Sequence, residues 1–331
     1  MAKGFKVAKP KESNERKAQK VNEWDIQKIK ARMRGKRIAF CLPGRNVSYI
    51  FLKNFLKLSF ELYQNQMSFQ ICQDYSSMVN FARCKCLGAN VLRGPDQIPW
   101  DGKLPYDYQL WIDSDIVFQT DDFWKLCDLA FPEEAVMTEK QWRLQETNEI
   151  VEEGTEGAVE VVAAVAYEEY RVVDPSTNTA GQELVSPDTP GAQLVHKSFA
   201  SNPEKERHIV AGWYCTEDGR TTSVAHWLEE DDFRSNGGVM NHEMVDGISK
   251  RQKPFTVDYT GFGWVMIKNG VFEHPEMKYP WFAPKMQIFE SGEVQDMCGE
   301  DVSFCLDAKD AGFKIWCDPR VRVGHEKTRI I

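Results

Sequence analysis

Tyr108, Gln109, Leu110, Trp111 and Ile112 run directly into Asp113, Ser114 and Asp115, and the reading of the whole chain turns on this stretch. The apolar run predicts a strand, and the strand stops at two carboxylates. In open α/β sheets, ligands bind beyond the carboxyl ends of the strands. Two carboxylates at that position suit a hard divalent cation whose shell is completed by diphosphate oxygens. A bare Asp-x-Asp also arises in turns, where acids satisfy local backbone donors. Its place after a strand gives it weight here.

The flanking sequence supplies the rest of a sheet. Upstream, Arg37 to Leu42 predicts a first strand that ends in a turn at Pro43, Gly44, Arg45 and Asn46. Val47 to Tyr63 carries Val47, Ile50, Phe51, Phe55, Leu58 and Leu62 at the helical period. Met67 to Cys72 predicts a second strand, and Met78 to Gly88 a helix bearing Asn80, Arg83 and Lys85. Downstream, His208 to Tyr214 is a strand, and Phe255 to Lys268 holds two apolar runs broken by Gly261 and Gly263. Glu300 to Ala311 is a helix stopped by Gly312. Phe313 to Cys317 and Val321 to Val323 are strands around a turn at Asp318 and Pro319. Strand and helix in alternation predict an α/β fold: a Rossmann-type mixed, mostly parallel sheet flanked by helices.

Three regions follow from composition. Residues 1–36 form a basic extension, and 37–331 form one domain. Within that domain, 37–138 and 207–331 are the two ordered halves. Residues 139–206 are acidic, rich in Ser, Thr, Pro and Gly and without a sustained period. They are expected to be an insertion or loop region bordering the site, with one or two strands between Gly157 and Val173.

The chain has 331 residues, 42% hydrophobic and 12% aromatic, enough for a substantial core. Its net charge of −9 is uneven: through Arg37 there are thirteen Lys and Arg against four Asp and Glu. The body is therefore acidic, which argues against a nucleic-acid-binding role, because phosphate contacts need a basic face. The basic extension is either a solvated tail or a segment that touches a membrane surface or a partner. Nine Cys at irregular spacing, with no Cys-x-x-Cys, match neither a zinc ribbon nor a disulfide framework. Reduced thiols in a cytoplasmic protein are the expectation. The polar N-terminus has no signal-peptide core. Val47 to Tyr63 is interrupted by Lys53, Asn54, Lys57 and Glu61, too polar to span a bilayer.

Glu300 and Asp301 open a helix. Acids there cap it and complement its dipole, and one of them can also accept the proton of an attacking hydroxyl. His325 follows the last strand and suits a third metal ligand, with Lys327 beside it for phosphate charge. Gly261 and Gly263 mark either a close backbone approach to a ligand or a bulge. Trp264, Trp281 and Phe282 are either a sugar-binding face or core. Arg45 and Arg83 are placed to reach a nucleotide.

In this order and spacing, these motifs resemble the GT-A class of nucleotide-sugar glycosyltransferases, closest to family-two-like and mannan-polymerase-like enzymes. The resemblance covers about residues 36 to 329, without much of 139–206. It implies a GT-A-like fold and transfer of a sugar from a nucleotide-diphosphate donor to a carbohydrate or glycoconjugate hydroxyl, assisted by Mn2+ or Mg2+. It implies that Asp113, Asp115 and His325 bind the metal, that Asp301 is the base of an inverting reaction, and that Glu300 lies on the acceptor side. Arg45, Arg83, Asp113, Gly261, Gly263 and Lys327 would line the donor site. The alternatives are a sugar-nucleotide pyrophosphorylase and a catalytically silent carbohydrate- or nucleotide-binding protein on the same fold.

Overall fold

The structure is a computed structural model that describes residues 26–326, apart from 145–146, 148–149, 154, 157, 165, 175–178, 181–184, 191, 200–201 and 203. Seven strands build the central sheet: β1 (Arg37–Pro43), β2 (Ser68–Asp74), β3 (Tyr108–Ile112), β4 (Ile209–Trp213), β5 (Phe255–Val257), β6 (Trp264–Lys268) and β7 (Ile315–Arg322). Their order across the sheet is β5-β7-β4-β6-β3-β1-β2. β2, β1 and β3 are parallel, and so are β4 and β7. β6 runs against both β3 and β4, and β5 against β7. Most strands thus point one way in a mixed sheet.

Helices cover both faces: α1 (26–33), α2 (Tyr49–Gln64), α3 (Val79–Cys86), α4 (Thr120–Ala130) and α5 (Glu300–Asp310). On one face, Leu58 and Leu62 of α2 and Phe123 and Leu126 of α4 pack on Phe40, Leu110 and Met266. On the other, Cys84 of α3 and Phe304 and Cys305 of α5 pack on Cys41, Trp111 and Cys317. Successive residues of a strand face opposite sides, so Leu110 and Trp111 anchor the two layers. Trp264, Trp281 and Phe282 are also buried, which makes them core and not a sugar-binding face. Among the described residues, no helix is long and apolar enough to cross a membrane.

Two expectations are corrected. Asp318 and Pro319 do not end a strand: β7 runs through them. The irregularity is absorbed as a register shift against β4 between Ala211 and Trp213. Buried Asp318 takes hydrogen bonds from the Arg320 backbone and guanidinium, and the Pro319 carbonyl accepts from Trp213 Nε1. Polar groups that would otherwise favour a turn are therefore satisfied inside the sheet.

The acidic middle region holds more strand than expected. Thr138–Leu144 pairs antiparallel with Ile150–Val151 and Ala158–Ala164. Ala166–Asp174 pairs antiparallel with Thr179–Ala180 and Ala192–Phe199. Ala158–Ala164 and Ala166–Asp174 fall where one or two strands were expected, between Gly157 and Val173, whereas Thr138–Leu144 and Ala192–Phe199 were not expected: Glu139, Lys140 and Arg143 in the first and His196 and Lys197 in the second hide the period of two. The segment leaves and rejoins the body at one place. The Asn202 amide donates to the Ala135 carbonyl at 2.8 Å and the Arg207 amide to that of Ala130 at 3.0 Å.

Glu206 ties the returning chain to the foot of the sheet. Its carboxylate, 2% exposed, accepts from the Tyr108 hydroxyl at 2.8 Å and pairs with Lys268 Nζ at 2.9 Å. Glu206→Ala leaves an amine and a phenol without their partner and is expected to cost roughly 3 kcal/mol. Glu206→Gln should recover part of that loss. Denaturant unfolding of the three proteins reads the difference, and an Ala variant as stable as the parent refutes the clamp.

Candidate functional site

The carboxyl ends of β1 and β3 meet at the upper edge of the sheet. Gly44, at φ 152°, lets the loop after β1 lie against Ser114, whose Cβ and Oγ sit 3.1 Å from where a Gly44 side chain would begin. Ser48 then caps α2 by accepting from the Phe51 amide at 3.1 Å. The stretch from Asp113 to Asp115 is thereby fixed between the β1 loop and the strands that follow.

Asp113 meets Arg83. The guanidinium, 3% exposed, donates to both Asp113 oxygens at 3.0 and 3.2 Å and reaches Glu300 Oε1 at 3.4 Å through Nε. Burial alone would weaken the cation, but Asp113, Glu300 and Asp301 hold it firmly charged. A forked pair of this kind fixes orientation as well as charge. Arg83 therefore acts on the carboxylates, where the sequence reading expected it to reach a nucleotide. Arg45 is exposed on the β1 loop, its guanidinium stacked 4.3 Å from the Tyr75 ring centroid.

Asp115 meets His325. Gly324 and His325 pair antiparallel with Ile116 and Val117, which brings His325 Nε2 to 3.0 Å from Asp115 Oδ2. His325 Nδ1 is buried and has no hydrogen-bond partner among the described residues. The three residues expected as metal ligands thus divide: Asp115 and His325 are together, while Asp113 is engaged by Arg83. Among the described residues, no group of three or more His, Cys, Asp and Glu is arranged to hold a metal ion. Lys327 lies outside the described residues.

Asp301 sits in the first turn of α5, where its Oδ1 accepts from the Val302 amide at 2.8 Å and its Oδ2 from the Tyr259 hydroxyl at 2.9 Å. Burial first, and the neighbouring Glu300 second, push its carboxyl above the usual range, and the Tyr259 bond only partly offsets this. A carboxylate in that state is a stronger base than an exposed one.

Tyr214 was not foreseen from the sequence. It follows β4, its ring lies 4.8 Å from that of His325, and the charges of Asp113 and Asp301 add to burial in pushing its phenol up. Gly261 and Gly263 make room for it. A Cβ at Gly263 would come within 2.7 Å of the Tyr214 ring and 2.8 Å of Ile116, and one at Gly261 would overlap the Tyr214 hydroxyl. The neighbour these glycines admit is a tyrosine of the chain itself. Tyr259 was equally unassigned. The only sequence signal for either was an aromatic residue beside a strand that stops, as Tyr214 follows β4.

No family model and no curated protein matches the chain. Among solved structures the chain is similar to A197 from STIV, at 13% identity over 89% of this chain and 96% of that one, with a TM-score of 0.36. It is also similar to GalNAc-T7 with UDP, GalNAc and Mn2+, at 11% identity over 88% of this chain and 44% of that one, with a TM-score of 0.31. This chain spans less than half of the second structure's chain. Likenesses of this depth assign neither an activity nor a ligand.

Two outcomes are expected at the site. Gly261→Ala should lose about 1–3 kcal/mol by overpacking, and adding Tyr214→Phe should return part of it. Denaturant unfolding measures both, and a neutral Gly261→Ala rules out the close packing. The second concerns Asp301. Its raised pKa means the folded state gives up stability as pH climbs from the ordinary carboxylate range through the shifted one. Asp301→Asn should therefore gain stability relative to the parent at pH 7 compared with pH 4. An equal difference at both pH values contradicts the shift.

Proposed function

We propose that the protein is a GT-A-type glycosyltransferase that moves a sugar from a nucleotide-diphosphate donor to a hydroxyl acceptor, with divalent-metal assistance and inversion. The observation that carries this reading is Asp301. It is a half-buried, proton-hungry carboxylate held by Tyr259 beside the Arg83-bound pair of Asp113 and Glu300. Acceptor activation needs a base fixed in direction, and the helix start together with the Tyr259 hydroxyl fixes this one. Glu300 keeps its neighbour's pKa high and stands on the acceptor side. Arg83 orients Asp113 and Glu300 together, so the donor and acceptor edges are set by one cation.

Asp115 and His325 are the residues that would hold the cation. Their donor atoms are adjacent, and His325 carries an unpartnered buried nitrogen. Two protein donors suit magnesium- or manganese-type sites in which substrate phosphates supply the remaining ligands. Bound there, the metal supplies Lewis acidity to the departing diphosphate. Arg45, stacked on Tyr75 at the end of β1, is proposed to meet the nucleotide. Lys327 keeps its proposed phosphate role from the sequence alone. Nine cysteines at irregular spacing, without a Cys-x-x-Cys, fit the proposed reducing cytoplasmic setting.

A thermal-shift screen of UDP, GDP and CDP with and without Mn2+ tests the donor site, because a ligand that binds the folded state raises its melting temperature. A metal-dependent rise with one diphosphate is expected, lost in Asp115→Asn and His325→Ala. Asp301→Asn should keep that rise while transfer falls by about 100-fold or more, the range of general-base catalysis. No rise with any diphosphate on folded protein favours a silent binder of another ligand, and a fully active Asp301→Asn removes the base assignment.

A further inference from the structure

Helix α2 buries one face and presents a second apolar face to solvent. Phe51, Phe55, Leu58 and Leu62 point into the core. On the opposite side, Tyr49, Leu52, Leu56, Phe60 and Tyr63 recur at spacings of three and four residues, which stack along one side of a helix. They are 90%, 43%, 60%, 61% and 77% exposed. Surfaces of soluble proteins seldom gather apolar side chains into a continuous stripe of this length unless something covers it.

The charges around the stripe say what covers it. Lys53 and Lys57 border it and are exposed. The one acid of the helix, Glu61, is turned aside, accepting from Lys30 Nζ at 3.0 Å and Trp124 Nε1 at 2.8 Å. The outer face therefore presents aromatic rings, aliphatic chains and ammonium groups without a free carboxylate. Asn65 Nδ2, just past the end of α2, donates to the Lys30 carbonyl at 2.8 Å, so the chain arriving through α1 joins the body beside this helix. That arriving chain, through Arg37, is the strongly basic part of the sequence, and the remainder is acidic.

We propose that the outer face of α2 docks the protein on an anionic lipid bilayer. The apolar stripe enters the interfacial zone, Tyr49 and Tyr63 sit at headgroup depth, and Lys53 and Lys57 extend to the lipid phosphates. Anionic lipid attracts basic residues near its surface and repels the acidic body, so the field selects this side of the molecule for contact. The proposal is independent of the reaction carried out at the carboxyl edge of the sheet.

Flotation of the full chain with phosphatidylcholine vesicles, and with vesicles that also contain phosphatidylserine, tests it. Binding to the anionic vesicles alone is expected, weakened by salt and by Lys53→Gln with Lys57→Gln. Leu56→Glu with Phe60→Glu should reduce it roughly tenfold, since insertion scales with buried apolar area. Tyr49→Ser with Tyr63→Ser gives a milder second variant should the first fail to fold, and its binding should fall as well. Undiminished binding of folded stripe variants overturns the proposal in favour of the basic extension alone. Absence of vesicle binding overturns it too, and a dimer that the stripe variants dissolve would then assign the face to a second copy of this chain.

Discussion

A single guanidinium shielded from water organises the carboxyl edge of the sheet. Arg83 projects from α3, grips Asp113 at the end of β3 with both arms and reaches Glu300 at the start of α5. A cation buried this deeply persists only if anions surround it. The carboxylates in turn would repel one another without it. Strand, α3 and α5 therefore depend on each other at this point, although they lie far apart in sequence.

The surroundings of Arg83 explain why carboxylates of the same chemistry have come to differ. Asp113 is neutralised by a fork. Asp301 is half-buried beside Glu300 with a phenol for a partner, and desolvation together with the Glu300 charge raises its proton affinity. Asp115 lies against an imidazole whose other nitrogen has no mate. Three aspartates thus stand in three different settings within one small volume: forked to a guanidinium, bonded to a phenol and set against an imidazole.

Much of the architecture was legible. The strand at Tyr108–Ile112, the helix beginning near Ser48 and the helix opening at Glu300 follow from apolar periodicity and punctuation, which are local properties. What sequence could not supply was partnership. Arg83 was visible as a charged residue on a helix, but its burial depends on Asp113 and Glu300, 30 and 217 positions away. Gly261 and Gly263 announced a close approach without naming what approaches, and the answer was Tyr214. Asp318 and Pro319 carry the chemistry of a turn, yet Arg320 and Trp213 satisfy them inside a strand. The strands Thr138–Leu144 and Ala192–Phe199, outside the stretch from Gly157 to Val173 where strands were expected, escaped notice because charged residues mask their alternation.

The seam at the base of the acidic region has a consequence for how such a chain changes over time. Its departing and returning ends are joined by the backbone bonds from Asn202 to Ala135 and from Arg207 to Ala130, and Glu206 rivets the return to Tyr108 and Lys268. Whatever lies between is a cassette plugged into a closed socket. Its length and composition can drift, or be exchanged for a short turn, without shifting β3 or the carboxylates at its far end. Change can accumulate at the socket while the arrangement of side chains at the other end of the strand is left as it is.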